Sequence, residues 1–418
     1  MAMNRIVAIL LILVIVASAF SALYLSNLPK ANVRNETAYV GVAFQGETVA
    51  EAKLLIDRVK NYTNVFVLGH TPVSRDEAST NEVCDYAVSQ GLNIIVNFGY
   101  YDPYASTMDQ LFRRWPWQHT WVEAAKTKYG DEFLGVYYDD EPGGIQLDWE
   151  WSEFFFENYT TYFTLTLDTP LHQIYQRLID ANASGLHPEN YDIEAEYFTE
   201  TVFNQTRGHI PSGEAQVTTF TSDYALYWFD YLSGYDVILA QIGWNHTLEQ
   251  DIALLRGAAT MQNKTWGTII TWKYTSTPYL DSGAEVYKQM VASYSAGAKY
   301  ILIFNYPKLD GNDYGIMQEE HFAALEKFWK DYVNPRRNAD LSQGQVALIL
   351  PRNYGWGMRN PDDKIWGMWG PDDKSHQIWS ISRQLLSIYG LRLDIIYDDP
   401  AFPASEKYSK VYFWNETF

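Results

Sequence analysis

The sequence predicts an α/β fold, because short apolar segments alternate with longer amphipathic ones along most of the chain. Eight such strand–helix units fit within about 300 residues, which is the size of a closed eightfold barrel. The Gly-rich phosphate turn that often marks an open, doubly wound sheet is missing from the sequence. We therefore expect a (β/α)8 TIM barrel over residues 38–335, with a long insertion after strand 4 and a small C-terminal α/β segment.

The predicted strands are runs rich in β-branched and aliphatic residues, bounded by glycine or polar residues. They cover residues 39–44, 64–69, 92–98, 133–138, 216–221, 236–242, 267–272 and 299–305. Helices are predicted between and after them, at 49–60, 75–90, 120–128, 224–232, 248–261, 284–296 and 319–332. A polar and aromatic insertion at about 143–213 interrupts the alternation.

A second unit is predicted at 345–418, with strands at 346–350, 391–397 and 408–414 and a helix at 375–389. Three strands and one helix make a thin domain, so it either packs on the barrel or is incomplete. Between its first strand and its helix, residues 361–369 and 371–379 form a near-repeat. This repeat predicts either two capped turns or an aromatic loop, with Trp356, Trp366 and Trp369 reaching over the barrel mouth.

Residues 1–28 are typical of a signal peptide or an N-terminal membrane anchor. Arg5 precedes an apolar run at 6–25 that is long enough to span a bilayer, and small residues at 17–19 suit cleavage. Either interpretation makes the protein extracellular or exposed at the cell surface, secreted or anchored by this segment. Eight Asn-x-Ser/Thr sequons support an exported glycoprotein; they begin at Asn35, Asn61, Asn158, Asn182, Asn204, Asn245, Asn263 and Asn415.

Charge and cysteine content exclude several classes of protein. Against 31 Lys and Arg stand 51 Asp and Glu, a net charge of −20 that repels phosphate backbones and anionic lipid. We therefore expect no nucleic-acid partner, and membrane contact only through the N-terminal segment. The single cysteine, Cys84, excludes an internal disulfide and is expected to be a small buried residue. Aromatic residues make up 16% of the chain, which suits a large core or a surface that binds ligand rings.

The strongest chemical signal is the end of strand 4, where Asp139, Asp140 and Glu141 precede Pro142. Strand alternation directs Leu134, Val136 and Tyr138 to the helix layer. It directs Tyr137, Asp139 and Glu141 to the barrel interior or mouth, with the two carboxylates about 6.5–7 Å apart. One ionised carboxylate raises the proton affinity of the other, as a general acid requires. The alternative is that these acids cap a turn or a helix start.

A barrel whose fourth strand ends in Asp140-Glu141-Pro142 resembles the TIM-barrel glycoside hydrolases. In the β-galactosidase-like clan the second member of a pair at this place is the acid/base Glu. The chitinase-like and hexosaminidase-like groups also place their acidic Glu there. The resemblance covers about residues 39–335 and implies that Glu141 is the proton donor. Residues 345–418 are similar to the start of a flavodoxin-like or glutamine-amidotransferase-like domain that follows the barrel in some β-galactosidases.

The second catalytic group is left open, because strand 7 ends in Thr271-Trp272-Lys273-Tyr274, where the β-galactosidase-like clan has a nucleophilic Glu. Asp223, just past strand 5, could be a second carboxylate. Alternatively, the acetamido group of the substrate attacks while Asp139 or Asp140 orients it. In a third interpretation the site only binds sugar. The acids beside Glu141 favour the second of these interpretations, in which the acetamido group attacks.

Polar and aromatic residues recur at the other strand ends, as a neutral sugar ring requires. The predicted substrate-binding residues are His70, Asn97, Tyr100, Tyr137, Gln241, Trp244, Trp272, Tyr274, Asn305 and Tyr306. Lys273 suggests either an ion-pair partner for the acidic mouth or the Schiff-base lysine of a lyase. No His or Cys cluster has metal-ligand spacing and no nucleotide fingerprint occurs, so neither metal nor cofactor is expected.

The sequence therefore predicts an exported glycoside hydrolase that cleaves surface or environmental oligo- or polysaccharides with Glu141 as general acid. The alternatives are a non-catalytic carbohydrate-binding or structural protein on the same barrel, and a lyase that uses Lys273.

Overall fold

The computed structural model describes residues 38–99, 116–149, 173, 176–180, 186–207, 217–244, 246–339 and 343–416. The predicted N-terminal segment, Tyr100 and most of the insertion after strand 4 lie outside these residues. Within the described ranges, no helix is both long and apolar enough to cross a membrane.

Eight parallel strands close into a barrel in sequence order, with the eighth pairing back to the first. They are β1 Tyr39–Phe44, β2 Val65–Leu68, β3 Asn93–Asn97, β4 Phe133–Tyr137, β5 Thr219–Asp223, β6 Val237–Ile242, β7 Thr265–Ile270 and β8 Tyr300–Phe304. The predicted TIM barrel is confirmed. The largest offsets from prediction are in β5, which begins three residues later and ends two residues later, and in β7, which begins and ends two residues earlier.

Helices cover the outside of the barrel. They are α1 Val49–Val59, α2 Glu77–Ser89, α3 Pro116–Tyr129, α4 Pro142–Asp148, α5 Asp192–Arg207, α6 Tyr227–Leu232, α7 Leu248–Gln262, α8 Gly283–Ser295 and α9 Glu319–Phe328, which Trp329–Val333 extends as a π-helical turn. Helix α1 begins at a capping box in which Thr48 and Glu51 exchange side-chain and backbone hydrogen bonds. Helix α4 follows β4 after a four-residue turn, so the insertion starts with a helix directly behind the acidic strand end.

The core has two layers. Small and large apolar residues from alternate positions fill the barrel interior, among them Val67, Ile95, Phe220, Leu239 and Leu302. A second, larger cluster lies between the strands and the helices. Cys84 belongs to this outer cluster and is 1% exposed, as expected for a small buried residue.

The fourth strand does not alternate as predicted. Tyr137 packs in the barrel interior and Val136 and Tyr138 in the helix layer, but Leu134 packs against the interior cluster instead of the helices. The reason is a bulge, because consecutive residues Ile94 and Ile95 of β3 pair with Phe133 and Gly135, which leaves Leu134 as the extra residue. Gly135 adopts φ 148, a conformation that other residues rarely take.

The C-terminal unit packs on the barrel. Its strands β9 Val346–Leu350, β10 Leu393–Tyr397 and β11 Lys410–Phe413 form a parallel sheet in the order β10-β9-β11, beside helix α10 Asp373–Tyr389. Arg256 of α7 donates from Nε to Asp394 Oδ1 of β10 at 2.8 Å, and both side chains are fully buried. A Cβ on Gly257 would lie 2.7 Å from the Ile395 carbonyl oxygen, so the helix and the sheet are in backbone contact.

The tryptophans of the near-repeat belong to the core. Trp356, Trp366 and Trp369 are at most 5% exposed, and Trp366 packs against Phe229 of α6 with ring centroids 4.7 Å apart. The prediction of an aromatic loop that presents them at the mouth is therefore wrong. The second copy of the repeat instead supplies a cap, since Asp372 forms a capping box with Ser375 at the start of α10.

Candidate active site

A cavity of about 580 Å³ opens at the C-terminal ends of the barrel strands. Strands β1 to β8 or the residues just after them all contribute to its wall, and its floor is the apolar interior of the barrel. The polar side chains in the wall are Gln45, Asn97, Tyr137, Asp140, Glu141, Ser222, Gln241 and Thr271. In the described part of the chain, Asp140 and Glu141 are the carboxylates that line it.

The turn after β4 decides which acids face the cavity. The strand ends at Tyr137, and Asp139 and Glu141 both have left-handed backbones with φ 50 and 57. Neighbouring strand ends hold this turn, because the Glu141 N–H donates to the Ser222 carbonyl at 2.9 Å and the Asp139 N–H to the Gly99 carbonyl at 3.2 Å. Strand alternation therefore stops at Tyr137. The prediction that Asp139 and Glu141 share the mouth is wrong: Asp140 and Glu141 line the cavity, and Asp139 is buried outside its wall.

A hydrogen-bond network joins the two cavity acids. Tyr137 Oη donates to Asp140 Oδ1 in a short hydrogen bond, and Ser222 Oγ donates to the same oxygen at 2.9 Å. Gln241 Nε2 donates to Glu141 Oε1 at 2.7 Å and lies 3.0 Å from Ser222 Oγ. Side chains of β4, β5 and β6 thus hold both carboxyl groups in place by hydrogen bonds.

The environment favours a proton on Glu141. Burial, and next the neighbouring Asp140 carboxylate, raise the pKa of Glu141 to about 8, and the hydrogen bond from Gln241 opposes this. Burial also raises the pKa of Asp140, against the hydrogen bonds from Tyr137 and Ser222. Because the two groups interact, they lose their protons in two separate steps. The hydrogen-bond donors on Asp140 favour its ionised form, so Glu141 is the favoured carrier of the proton that the pair retains longer.

Asp223 does not face the cavity. It is the last residue of β5, and its fully buried carboxylate accepts hydrogen bonds from the N–H groups of Gly143 at 2.5 Å, Gly144 at 2.9 Å, Tyr224 at 2.7 Å and Ala225 at 3.1 Å. Burial raises its pKa to about 7, although these backbone donors oppose the shift. Asp223 therefore fixes the start of α4 directly after Glu141, and its position does not suit the predicted role of a second catalytic carboxylate.

The predicted binding residues fall into two groups. Asn97, Tyr137 and Gln241 line the cavity. Asn305 and His70 lie outside its wall: Asn305 Oδ1 accepts from the Gln45 N–H at 2.7 Å, and His70 Nε2 lies 3.3 Å from Arg75 Nε. Both belong to the framework that joins neighbouring loops. Tyr100 lies outside the described residues.

Aromatic rings gather at the mouth after β6, β7 and β8. Trp272 Nε1 donates to the Tyr306 carbonyl at 2.6 Å, and their rings stack with centroids 6.0 Å apart and planes 15° apart. Trp244 meets Trp272 edge-on at 5.8 Å. Tyr306 and Tyr274 are 48% and 46% exposed, which leaves apolar ring faces open to solvent. These four predicted residues follow strands that form the cavity, but they do not line its wall.

Two features were missed or misjudged from the sequence. Ser222, which contacts Asp140, Tyr137 and Gln241, was not predicted because strand 5 was placed to end at 221. Lys273 does not line the cavity, so the structure offers no support for a Schiff-base lysine there. No group of three or more metal-ligating residues occurs among the described side chains.

Comparisons with known proteins give the following similarities. No family model matches the sequence, and no curated protein matches it. A solved structure of GH5_18 from Streptomyces cattleya with GlcNAc is 11% identical and has a TM-score of 0.48, over 92% of this chain and 99% of that chain. Gas2p of Saccharomyces cerevisiae with laminaripentaose is 10% identical, with a TM-score of 0.37 over 73% of this chain and 67% of that chain. Orotidine 5'-monophosphate decarboxylase from Methanocaldococcus jannaschii is 8% identical, with a TM-score of 0.32 over 71% and 98% of the two chains.

Proposed function

We propose that this protein is a glycoside hydrolase in which Glu141 is the general acid. The observation that carries the proposal is a carboxyl group in the wall of the barrel cavity, beside a second carboxylate, with its pKa raised to about 8. Such a group holds a proton at neutral pH and can give it to a glycosidic oxygen as the bond breaks. Its Oε1 accepts from Gln241, which leaves Oε2 to carry the proton.

Asp140 is proposed to orient the group that attacks the sugar. In the described chain no third carboxylate lines the cavity, so a nucleophile supplied by the substrate fits the site better than a protein nucleophile. The carbonyl oxygen of a 2-acetamido group would bond to the anomeric carbon while the glycosidic C–O bond breaks and Glu141 protonates the leaving oxygen. Asp140 would accept a hydrogen bond from the acetamido N–H. Water would then open the cyclic intermediate, with the Glu141 carboxylate removing its proton.

The proposed substrate is an oligo- or polysaccharide, met outside the cell or at its surface. The aromatic faces of Trp244, Trp272, Tyr274 and Tyr306 at the mouth suit the apolar faces of sugar rings. The hydrophobic N-terminal segment and the sequons support export, by secretion or by anchoring through residues 1–28.

A panel of chromogenic glycosides, with and without a 2-acetamido group, tests this proposal. Glu141→Gln should lower kcat/KM on the best substrate by about 10²- to 10⁴-fold, because the acid is removed and the shape is kept. Glu194→Gln is the matched control, since Glu194 is another buried acid whose pKa burial raises to about 7, but it lies outside the cavity wall. Equal rates for wild type and Glu141→Gln would refute the acid role. Sugar binding without turnover by the wild type would favour the non-catalytic alternative.

A further inference from the structure

The C-terminal unit reaches the helix that begins directly after Glu141. Helix α4 is held at its start by Asp223, and its last residue, Asp148, is held by Arg359. Arg359 belongs to the loop between β9 and α10, so two units of the chain meet at the helix that follows the acid-bearing turn. A second contact from the same loop joins Gln146 Nε2 to the Trp366 carbonyl at 2.9 Å.

The geometry around Arg359 is fixed. Its Nε and Nη2 donate to the two oxygens of Asp363 at 2.9 and 2.7 Å, and its Nη1 donates to Asp148 Oδ2 at 2.8 Å. Tyr224 Oη donates to the same Asp148 oxygen at 2.8 Å. The side chains of Arg359 and Asp363 are 16% and 3% exposed, so this pair differs from a mobile surface ion pair, whereas the side chain of Asp148 is 52% exposed and its charge is partly screened by solvent.

The charge of Asp148 bears on Glu141. Burial is the largest cause that raises the pKa of Glu141, and the carboxylates of Asp140, Asp223 and Asp148 add to it. For Asp148 itself, burial is the largest cause and raises the pKa, but the hydrogen bond and charge of Arg359, the hydrogen bond from Tyr224 and the charge of Lys364 together lower it below its usual value, which favours the ionised form. The polar and charged groups that face Glu141 or Asp148 from the surrounding elements are Tyr137, Asp140, Asp223, Tyr224, Gln241, His246, Arg359 and Lys364.

We propose that Arg359 is a positioning residue of the active site, through which the C-terminal unit holds α4 behind Glu141 and offsets the negative charge of Asp148. The role rests on the proposed function of Glu141 as the acid. It gives the C-terminal unit a part in the chemistry although it contributes no side chain to the cavity wall.

The test measures the pKa of Glu141 directly, without any substrate, in the full chain. Glutamate labelled with ¹³C at the carboxyl carbon is followed by NMR over pH, and the Glu141 signal is identified by its loss in Glu141→Gln. Arg359→Gln should raise the pKa of Glu141 by about half a unit, because a positive charge is lost near a solvent-screened site. Asp148→Asn should lower it by a similar amount. Damage to the fold alone would not move the two variants in opposite directions.

Two further variants sharpen the result. Arg359→Lys keeps the charge without the planar fork, so the pKa should stay close to the wild-type value while amide exchange in α4 becomes faster. Arg383→Gln removes a charge from the same unit, at a side chain that donates to Thr247 of the barrel instead of Asp148, and should leave the pKa unchanged. Shifts of the same sign in Arg359→Gln and Asp148→Asn, or no shift in either, would overturn the proposal. Because no glycoside is used, an absence of hydrolysis in the panel would count against the proposed function and not against this link.

Discussion

A fully buried carboxyl group and a partly buried one in this molecule, Asp394 and Glu141, have opposite surroundings. Asp394, between the barrel and the C-terminal sheet, accepts hydrogen bonds from Arg256 Nε at 2.8 Å, Tyr408 Oη at 2.8 Å and the Gly344 N–H at 3.2 Å. The carboxyl of Glu141 accepts from Gln241, and within the described chain it forms no ion pair and lies near other acids.

The difference separates a structural carboxylate from a reactive one. Burial raises the pKa of both groups, but at Asp394 a guanidinium opposes the effect, whereas at Glu141 the neighbouring acids increase it. The chain therefore neutralises the charge that joins two units and leaves a proton on the group that faces the cavity. Such uncompensated acids are unfavourable for stability at high pH and are typical of functional sites.

The largest effect on stability is expected at the structural carboxylate. Asp394→Asn leaves the buried Arg256 guanidinium without its counter-charge, so the free energy of unfolding should fall by about 3–5 kcal/mol. Adding Arg256→Met removes the second charge and should recover most of that loss. Urea unfolding followed by tryptophan fluorescence measures both.

The matched control is an exposed pair of similar geometry. Lys330 Nζ lies 2.5 Å from Glu326 Oε1, and both side chains are more than 40% exposed. Glu326→Gln should cost less than about 1 kcal/mol, because solvent screens the pair. If Asp394→Asn lowered the free energy of unfolding by no more than Glu326→Gln does, the interface between the barrel and the C-terminal unit would not depend on the buried charge.

At Glu141, in contrast, we expect the substitution to increase the free energy of unfolding. Its pKa in the folded protein is about 8 and its usual value is 4.5, so the folded state binds the proton more tightly. This contribution to stability is fully present below about pH 4.5 and is lost as the pH rises to about 8. Glu141→Gln has no such group to ionise. At pH 8 it should be more stable than wild type by about 2–4 kcal/mol, and near pH 4.5 the two should converge.

The difference between these two unfolding curves reports Glu141 together with its effect on the neighbouring Asp140 and Asp223, whereas Glu194, with its pKa raised to about 7, contributes equally to both proteins. Denaturant unfolding at several pH values from 4.5 to 8 gives the measurement. A stability difference that does not grow with pH would show that Glu141 titrates near its ordinary value.

The sequence was sufficient for the barrel because each strand carries its own apolar pattern and the helices separate them at regular intervals. It failed where one residue changed the local geometry. Leu134 turned inward because of a bulge, and the left-handed backbones of Asp139 and Glu141 ended the alternation that had paired them. The left-handed turn has no compositional signal, since it depends on hydrogen bonds from neighbouring strand ends, whereas the bulge is marked only by Gly135 within the strand.

The sequence predicted which residues lie near the site, but it did not predict the role of each one. Strand ends in a barrel converge, so Asn97, Tyr137, Asp140, Glu141 and Gln241 could be placed together. Asp223 also lies at a strand end, but four backbone donors hold its carboxylate at the start of α4 and away from the cavity. The roles of the tryptophans near residue 366 were equally unpredictable, because a sequence alone does not distinguish a buried ring from one that stacks on a sugar.

The smallest effect is expected when Gln241, which donates a hydrogen bond to Glu141, is replaced. Gln241 favours the ionised form of Glu141, so Gln241→Met should raise the pKa further, by about one to two units for the loss of a hydrogen bond to a charged group. Because the acid must be protonated to act, the alkaline limit of kcat/KM should move to higher pH by the same amount. Gln250→Met is the matched control, since Gln250 is also buried but donates to the Met358 carbonyl at 2.5 Å, away from the cavity. An alkaline limit that moves to lower pH in Gln241→Met would show that this hydrogen bond stabilises the protonated acid instead.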